Sequence, residues 1–183
     1  MAKGGEEARA SYFEHLCRGV TGVGDSNAVQ FLVRTKVLTK DEIHSRFHIG
    51  VERYNKTLEI ELRTLLELAQ SYVLPAVETQ INRSSDTLKC LTTKTPKMLQ
   101  TERVQQLEET LGTILSASRE LSASLDKVAG ESDEIKRMKW IAKETIGLGA
   151  KLRKGCDAAE LLVADELWTL PKYRDMLFAN TLT

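Results

Sequence analysis

Two histidines four residues apart, His44 and His48 in H-S-R-F-H, have types and spacing that suggest chemistry. On a helix they share a face, as a two-histidine metal pair does. A zinc-protease helix also needs a glutamate directly after the first histidine to act as base, and Ser45 stands there. His15 lies across a glycine-rich break and no third ligand group is visible, so surface or half-buried histidines are expected and a metal site is not. Glu59 and Glu61 are two apart, which on a helix sends them to different sides and makes them solvated charges. A di-iron carboxylate bundle would repeat Glu-x-x-His on inward faces, and the sequence contains no Glu-x-x-His. G-V-T-G-V-G-D-S precedes a helical segment but lacks both the Walker lysine and the G-x-G-x-x-G order, which leaves a connector. Cys17, Cys90 and Cys156 have no C-x-x-C partner and read as reduced packing thiols. The residues carry no catalytic, cofactor-binding or metal-ligating constellation.

The chain of 183 residues balances 26 basic against 26 acidic side chains, interleaved rather than blocked, which excludes the footprint that nucleic acid or an anionic membrane demands. No apolar run is long enough to span a bilayer, and M-A-K-G-G-E-E is no signal peptide, so a cytoplasmic protein is expected. Three prolines and few aromatics beside abundant Leu, Ala, Glu and Lys point to an all-α fold.

The elements bear this out in pattern. Glu6 to Arg18 reads as a short helix with Tyr12, Phe13 and Leu16 on its apolar side, and Ser26 as the expected N-cap of a second one. Thr39-Lys40-Asp41-Glu42 is a capping box that opens a long helix, with an irregularity expected at Gly50. From Val51 to Ile81 apolar residues recur at Val51, Tyr54, Leu58, Leu62, Leu65, Leu68/Ala69, Tyr72 and Ala76, one face of a helix. Pro75 lacks an amide hydrogen and crowds the carbonyl of Ser71, so a kink or break belongs there. Thr95-Pro96 is read as cap and first helical position of the next helix, whose stripe is Val104, Leu107, Leu111, Ile114, Ser118, Leu121, Leu125 and Val128. Ser132, Asp133 and Glu134 start a third, striped by Ile135, Met138, Ala142, Thr145, Gly149, Leu152, Cys156, Ala159 and Val163. The expected architecture is an antiparallel bundle of three long helices, the first kinked near Pro75, with short N-terminal helices and a C-terminal tail. Residues 1–38 form the short helices and glycine-rich connector, and 39–183 the bundle domain with its apolar tail.

Two stretches carry a family likeness. V-L-T-K-D-E-I-H-S-R-F-H-I-G-V-E-R-Y-N-K-T-L-E-I-E-L-R-T-L-L-E-L-A-Q-S-Y-V-L-P-A and the closing L-V-A-D-E-L-W-T-L-P-K-Y-R-D-M-L-F resemble the C-terminal region of type III glutamine synthetases. Thr169 stands where the family signature W-P-L-P has proline, and Gly50 departs from the pattern of the first stretch. The resemblance implies a helical C-terminal domain packed on the catalytic part of a homo-oligomer. The parent reaction is ATP-dependent ligation of ammonia to glutamate, with ATP and Mg2+ or Mn2+ bound by the parent's catalytic domain. None of that domain's motifs occurs here, so no active-site residue is carried over and this chain alone is expected to be inactive. Trp168, Leu170, Pro171, Tyr173, Met176, Leu177 and Phe178 are the expected interdomain or oligomer contacts. The alternative is a stand-alone helical adaptor that binds a partner through its heptad seam or apolar tail.

Overall fold

The computed structural model describes residues 26–172 and Asp175; the first short helix, the glycine-rich connector, His15, Cys17, Tyr173, Met176, Leu177 and Phe178 lie outside the described residues. The fold is all-α, and no strand occurs among the described residues. Its elements are α1 (Ser26–Arg34), α2 (Lys40–Leu68), a π turn (Ala69–Val73), α3 (Leu74–Cys90), α4 (Lys94–Gly130), α5 (Glu134–Trp140), a second π turn (Ile141–Thr145), α6 (Ile146–Leu162) and a 3-10 turn (Asp165–Leu167). Two compact units emerge: one holds the chain up to Glu59 with Val128–Glu144, the other Ile60–Lys127 with the chain from Thr145 onward.

In the first unit, α1 ends at a tight turn where Lys36 takes φ 56°, the left-handed region that disfavours a side chain. The capping box then forms as the sequence predicts. The Thr39 amide donates to Glu42 Oε2 at 2.7 Å and the Glu42 amide to Thr39 Oγ1 at 3.2 Å. These bonds occupy two amides that the start of α2 leaves unpaired. Gly50 causes no irregularity, since α2 runs unbroken through it to Leu68. Val51, Leu58, Met138 and Ile141 are buried here, as is a polar residue, Asn55. Its Nδ2 donates to the backbone carbonyl of Glu134 at 2.9 Å and to Glu134 Oε2 at 2.6 Å, pinning α2 to the start of α5. Arg137 holds the other side of that carboxylate at 3.1 Å and donates to the Glu131 carbonyl at 2.7 Å.

In the second unit, residues from Ile60 to Cys90, most of α4, and α6 pack as three antiparallel layers around Leu62, Val73, Val77, Ile114, Leu121, Leu125 and Leu152. The α4 stripe turns inward as expected: Leu107, Ile114 and Leu121 are fully buried. Each such leucine or isoleucine contributes about 1.5–3 kcal/mol by leaving water. Gly149 lets α6 come within side-chain reach of α2, for a β-carbon there would lie 2.4 Å from Leu62 Cδ2.

Three expectations need correction or a fuller account. The disturbance expected at Pro75 takes the form of a widening over Ala69–Val73 rather than a break, and the Leu74 amide there donates to the Ala69 carbonyl five residues back. Widening relieves the clash of the proline ring with the turn before it. It also adds one residue to the turn, which rotates α3 by about 100° relative to a regular continuation of α2. Val73 and Val77 therefore occupy the inner face, and Tyr72, predicted inside, is 46% exposed. Second, α4 opens at Lys94, so Thr95 and Pro96 both sit in its first turn, where amides lack helical acceptors and a proline costs nothing. Third, the predicted continuous helix from Ser132 is capped by Asp133, whose carboxylate accepts the Ile135 and Lys136 amides, and it widens at Ile141–Thr145.

Candidate interaction site

The C-terminal segment is placed by the end of α6. Val163 leaves the helix with extended backbone and is buried, and the chain then turns back along α3 through Ala164 and the 3-10 turn. Gln80, projecting from α3 and 4% exposed, meets it there. Its Oε1 accepts the Ala164 amide at 3.0 Å while its Nε2 donates to Ser84 Oγ at 3.1 Å. Around this buried pair lie further contacts: the exposed pair Arg83 with Glu166, the largely buried Lys172 with exposed Asp165, and Arg103 Nη2 on the Leu162 carbonyl at 3.4 Å. The exposed Arg83–Glu166 pair contributes little to stability, whereas the buried amide bond is shielded from water.

Beyond the turn, Leu167, Trp168 and Leu170 lie half-buried against the bundle core, and Pro171 is exposed. Trp168, Leu170 and Pro171 line a shallow cleft of about 150 Å³ together with Val73, Arg153, Cys156, Asp157 and Glu160. The Trp168 indole N–H is buried and has no acceptor among the described residues. Burial, and then the neighbouring Asp157, push the Cys156 thiol up to about 11, so it stays protonated at neutral pH. A neutral, half-buried thiol is a packing group rather than a nucleophile.

The other residues singled out by type stay apart. His44 and His48 are both exposed on α2, their rings 4.5 Å apart and tilted by 59°. Among the described residues no three His, Cys, Asp or Glu side chains converge as a metal would require, so no step is assigned to a metal. Cys90 is exposed at the end of α3, far in sequence from Cys156. Gln80 and Asn55 were missed by sequence reasoning, although the signal was present: each is a polar residue on an otherwise apolar stripe.

The model of the family described as glutamine synthetase C-terminal domain matches residues 10–94. Glutamine synthetase of Bacteroides fragilis (strain YCH46) is 23% identical over 174 residues, covering 91% of this chain and 24% of that protein. The type-3 glutamine synthetase of Dictyostelium discoideum is 23% identical over 166 residues, covering 87% and 23%. Glutamine synthetase of Butyrivibrio fibrisolvens is 24% identical over 155 residues, covering 83% and 22%. The chain thus spans about a quarter of the length of the curated relatives it matches. On a fold that is all-helical among the described residues, the chain is similar to the glutamine synthetase C-terminal domain over residues 10–94 and, over most of its length, to a type-3 glutamine synthetase.

Proposed function

We propose that this chain acts as the non-catalytic C-terminal helical domain of a type III glutamine synthetase, in subunit packing and oligomer assembly. Its partners are the catalytic domain of the parent chain and, through it, further copies in a homo-oligomer of the cytoplasm. ATP and Mg2+ or Mn2+ belong, on this reading, to the parent's catalytic domain, which ligates ammonia to glutamate. The observation that carries the proposal is the C-terminal-domain match on helices whose stripes are spent on one another. No helix among the described residues is long and apolar enough to cross a membrane. A stand-alone adaptor that bound through the α4 seam would have to present it, yet Leu107, Ile114, Leu121 and Leu125 are at most 1% exposed, which leaves that alternative only the apolar tail.

Two measurements test it. The purified chain incubated with glutamate, ammonia, ATP and magnesium should form no glutamine above blank; robust turnover would refute the non-catalytic assignment. Removing the corresponding segment from the full-length enzyme should leave smaller particles in sedimentation velocity. Full assembly without it would refute the packing role.

A further inference from the structure

Segment 163–171 bears three of the contact residues of the proposed interface, and one buried side chain holds its base. Gln80 uses both ends of its amide: the carbonyl oxygen takes the Ala164 amide at 3.0 Å and the NH2 reaches Ser84 Oγ at 3.1 Å. Ser84 is itself 3% exposed, and its backbone carbonyl accepts Gln100 Nε2 of α4 at 3.0 Å. The chain of bonds therefore runs from the C-terminal segment through α3 into α4 with little water to compete. Of the charged contacts near the same segment, Arg83 with Glu166 is more than half exposed on both sides and opens readily, while Lys172, largely buried, meets Asp165 at the segment's far side.

We propose that Gln80 is a latch: by holding Ala164 it keeps the strap 163–171 closed on the bundle and sets the place from which Trp168, Leu170 and Pro171 meet a partner surface. Trp168 and Leu170 of the strap pack on the core cluster that includes Val73, so releasing the latch uncovers apolar core and displaces the proposed contact residues together. Gln80 is a positioning residue for the interface, acting through Ala164. The inference rests on the packing role proposed above for what the strap meets, but the latch itself exists in the chain alone.

The test uses the full chain with Trp140→Phe, which leaves Trp168 as the only tryptophan. Gln80→Leu keeps approximate size and removes both hydrogen bonds. The acrylamide quenching constant of Trp168 should rise several-fold while far-UV helicity is unchanged. Gln80→Glu supplies a signature that mere loss of packing would not. When protonated, the introduced carboxyl accepts from Ala164 and donates to Ser84 as the amide does. When ionised it is a buried charge: Arg83, Asp165 and Glu166 are each more than half exposed, largely buried Lys172 is paired with Asp165, and Arg103 of α4 is turned to the Leu162 carbonyl. Its pKa should thus be raised by burial, with Trp168 shielded below that value and quenchable above it. Trp168 equally shielded in Gln80→Leu, or quenching of Gln80→Glu that ignores pH, overturns the latch. If the latch behaves so but Gln80→Leu in the full-length enzyme assembles normally, the packing role fails and the latch stands.

Discussion

Gly149 sits where two opposing effects of a single methyl group can be weighed. Placing alanine in a helix interior instead of glycine gains about 1 kcal/mol from reduced backbone freedom in the unfolded chain. At exposed Gly147 nothing lies within 4 Å of the new β-carbon, so Gly147→Ala should stabilise by most of that. At Gly149, two residues on, the same carbon would lie 2.4 Å from Leu62 Cδ2 and 3.9 Å from Leu65 Cδ2. The Leu62 methyl is the end of a flexible side chain, but it is packed in the core at 8% exposure and must turn off its rotamer or push α2 away. Overpacking of this kind costs about 1–3 kcal/mol. The propensity gain is cancelled or exceeded, and Gly149→Ala should be neutral to about 2 kcal/mol destabilised. The two alanine variants should therefore separate by about 1–3 kcal/mol in urea melts followed by circular dichroism. Adding Leu62→Ala makes room for the methyl, so the double variant should be more stable than the sum of the single effects predicts. Gly149→Ala as stabilising as Gly147→Ala would show that α2 and α6 are not in close contact there.

Leu121→Ala should cost about 2–5 kcal/mol in the same melts, the range for a buried leucine truncated in a close-packed core. Lys36→Gly should stabilise by up to about 1–2 kcal/mol, because the lysine holds a left-handed φ that glycine adopts freely. The Thr39 amide holds the Glu42 carboxyl below its ordinary 4.5, and the Lys136 amide, with Ile135, holds Asp133 below 3.8. Both pKa values are lower folded than unfolded, so their contribution is complete above the ordinary values and lost as pH falls through the lowered ones. Glu42→Gln and Asp133→Asn, which remove the titrating carboxylates, should flatten the acid limb of a stability–pH profile, and an unchanged limb would refute the caps. In a Cys17→Ser background, neutral iodoacetamide should label exposed Cys90 well before Cys156, whose thiol burial keeps protonated; equal rates would contradict that burial.

How much was legible depends on what each pattern encodes. The α4 stripe and the capping box at Thr39 are local, since a side chain's spacing from its own neighbours settles them, and both appear as read. Pro75 announced a disturbance but not its form, because a wide turn and a break leave the same gap in a hydrogen-bond ladder. The widening at Ile141–Thr145 has no proline or glycine within it to mark it. Only packing selects it, with Ile141 and Thr145 both buried and Thr145 Oγ1 3.0 Å from Ser124 Oγ. The three described contact residues of the C-terminal segment were recognisable as large apolar or rigid groups. Gln80, which fixes their base, shows in the sequence only as a polar residue on an apolar stripe; its role does not, because its partner lies 84 positions away.

The wide turn before Pro75 makes the count of residues there as binding as their identity. Deleting any one of the five would restore an ordinary helical pitch and swing all of α3 through about 100°, carrying Val77 and Gln80 off the faces they serve. Substitutions in this stretch act one side chain at a time, whereas a single-codon deletion would rephase seventeen residues at once.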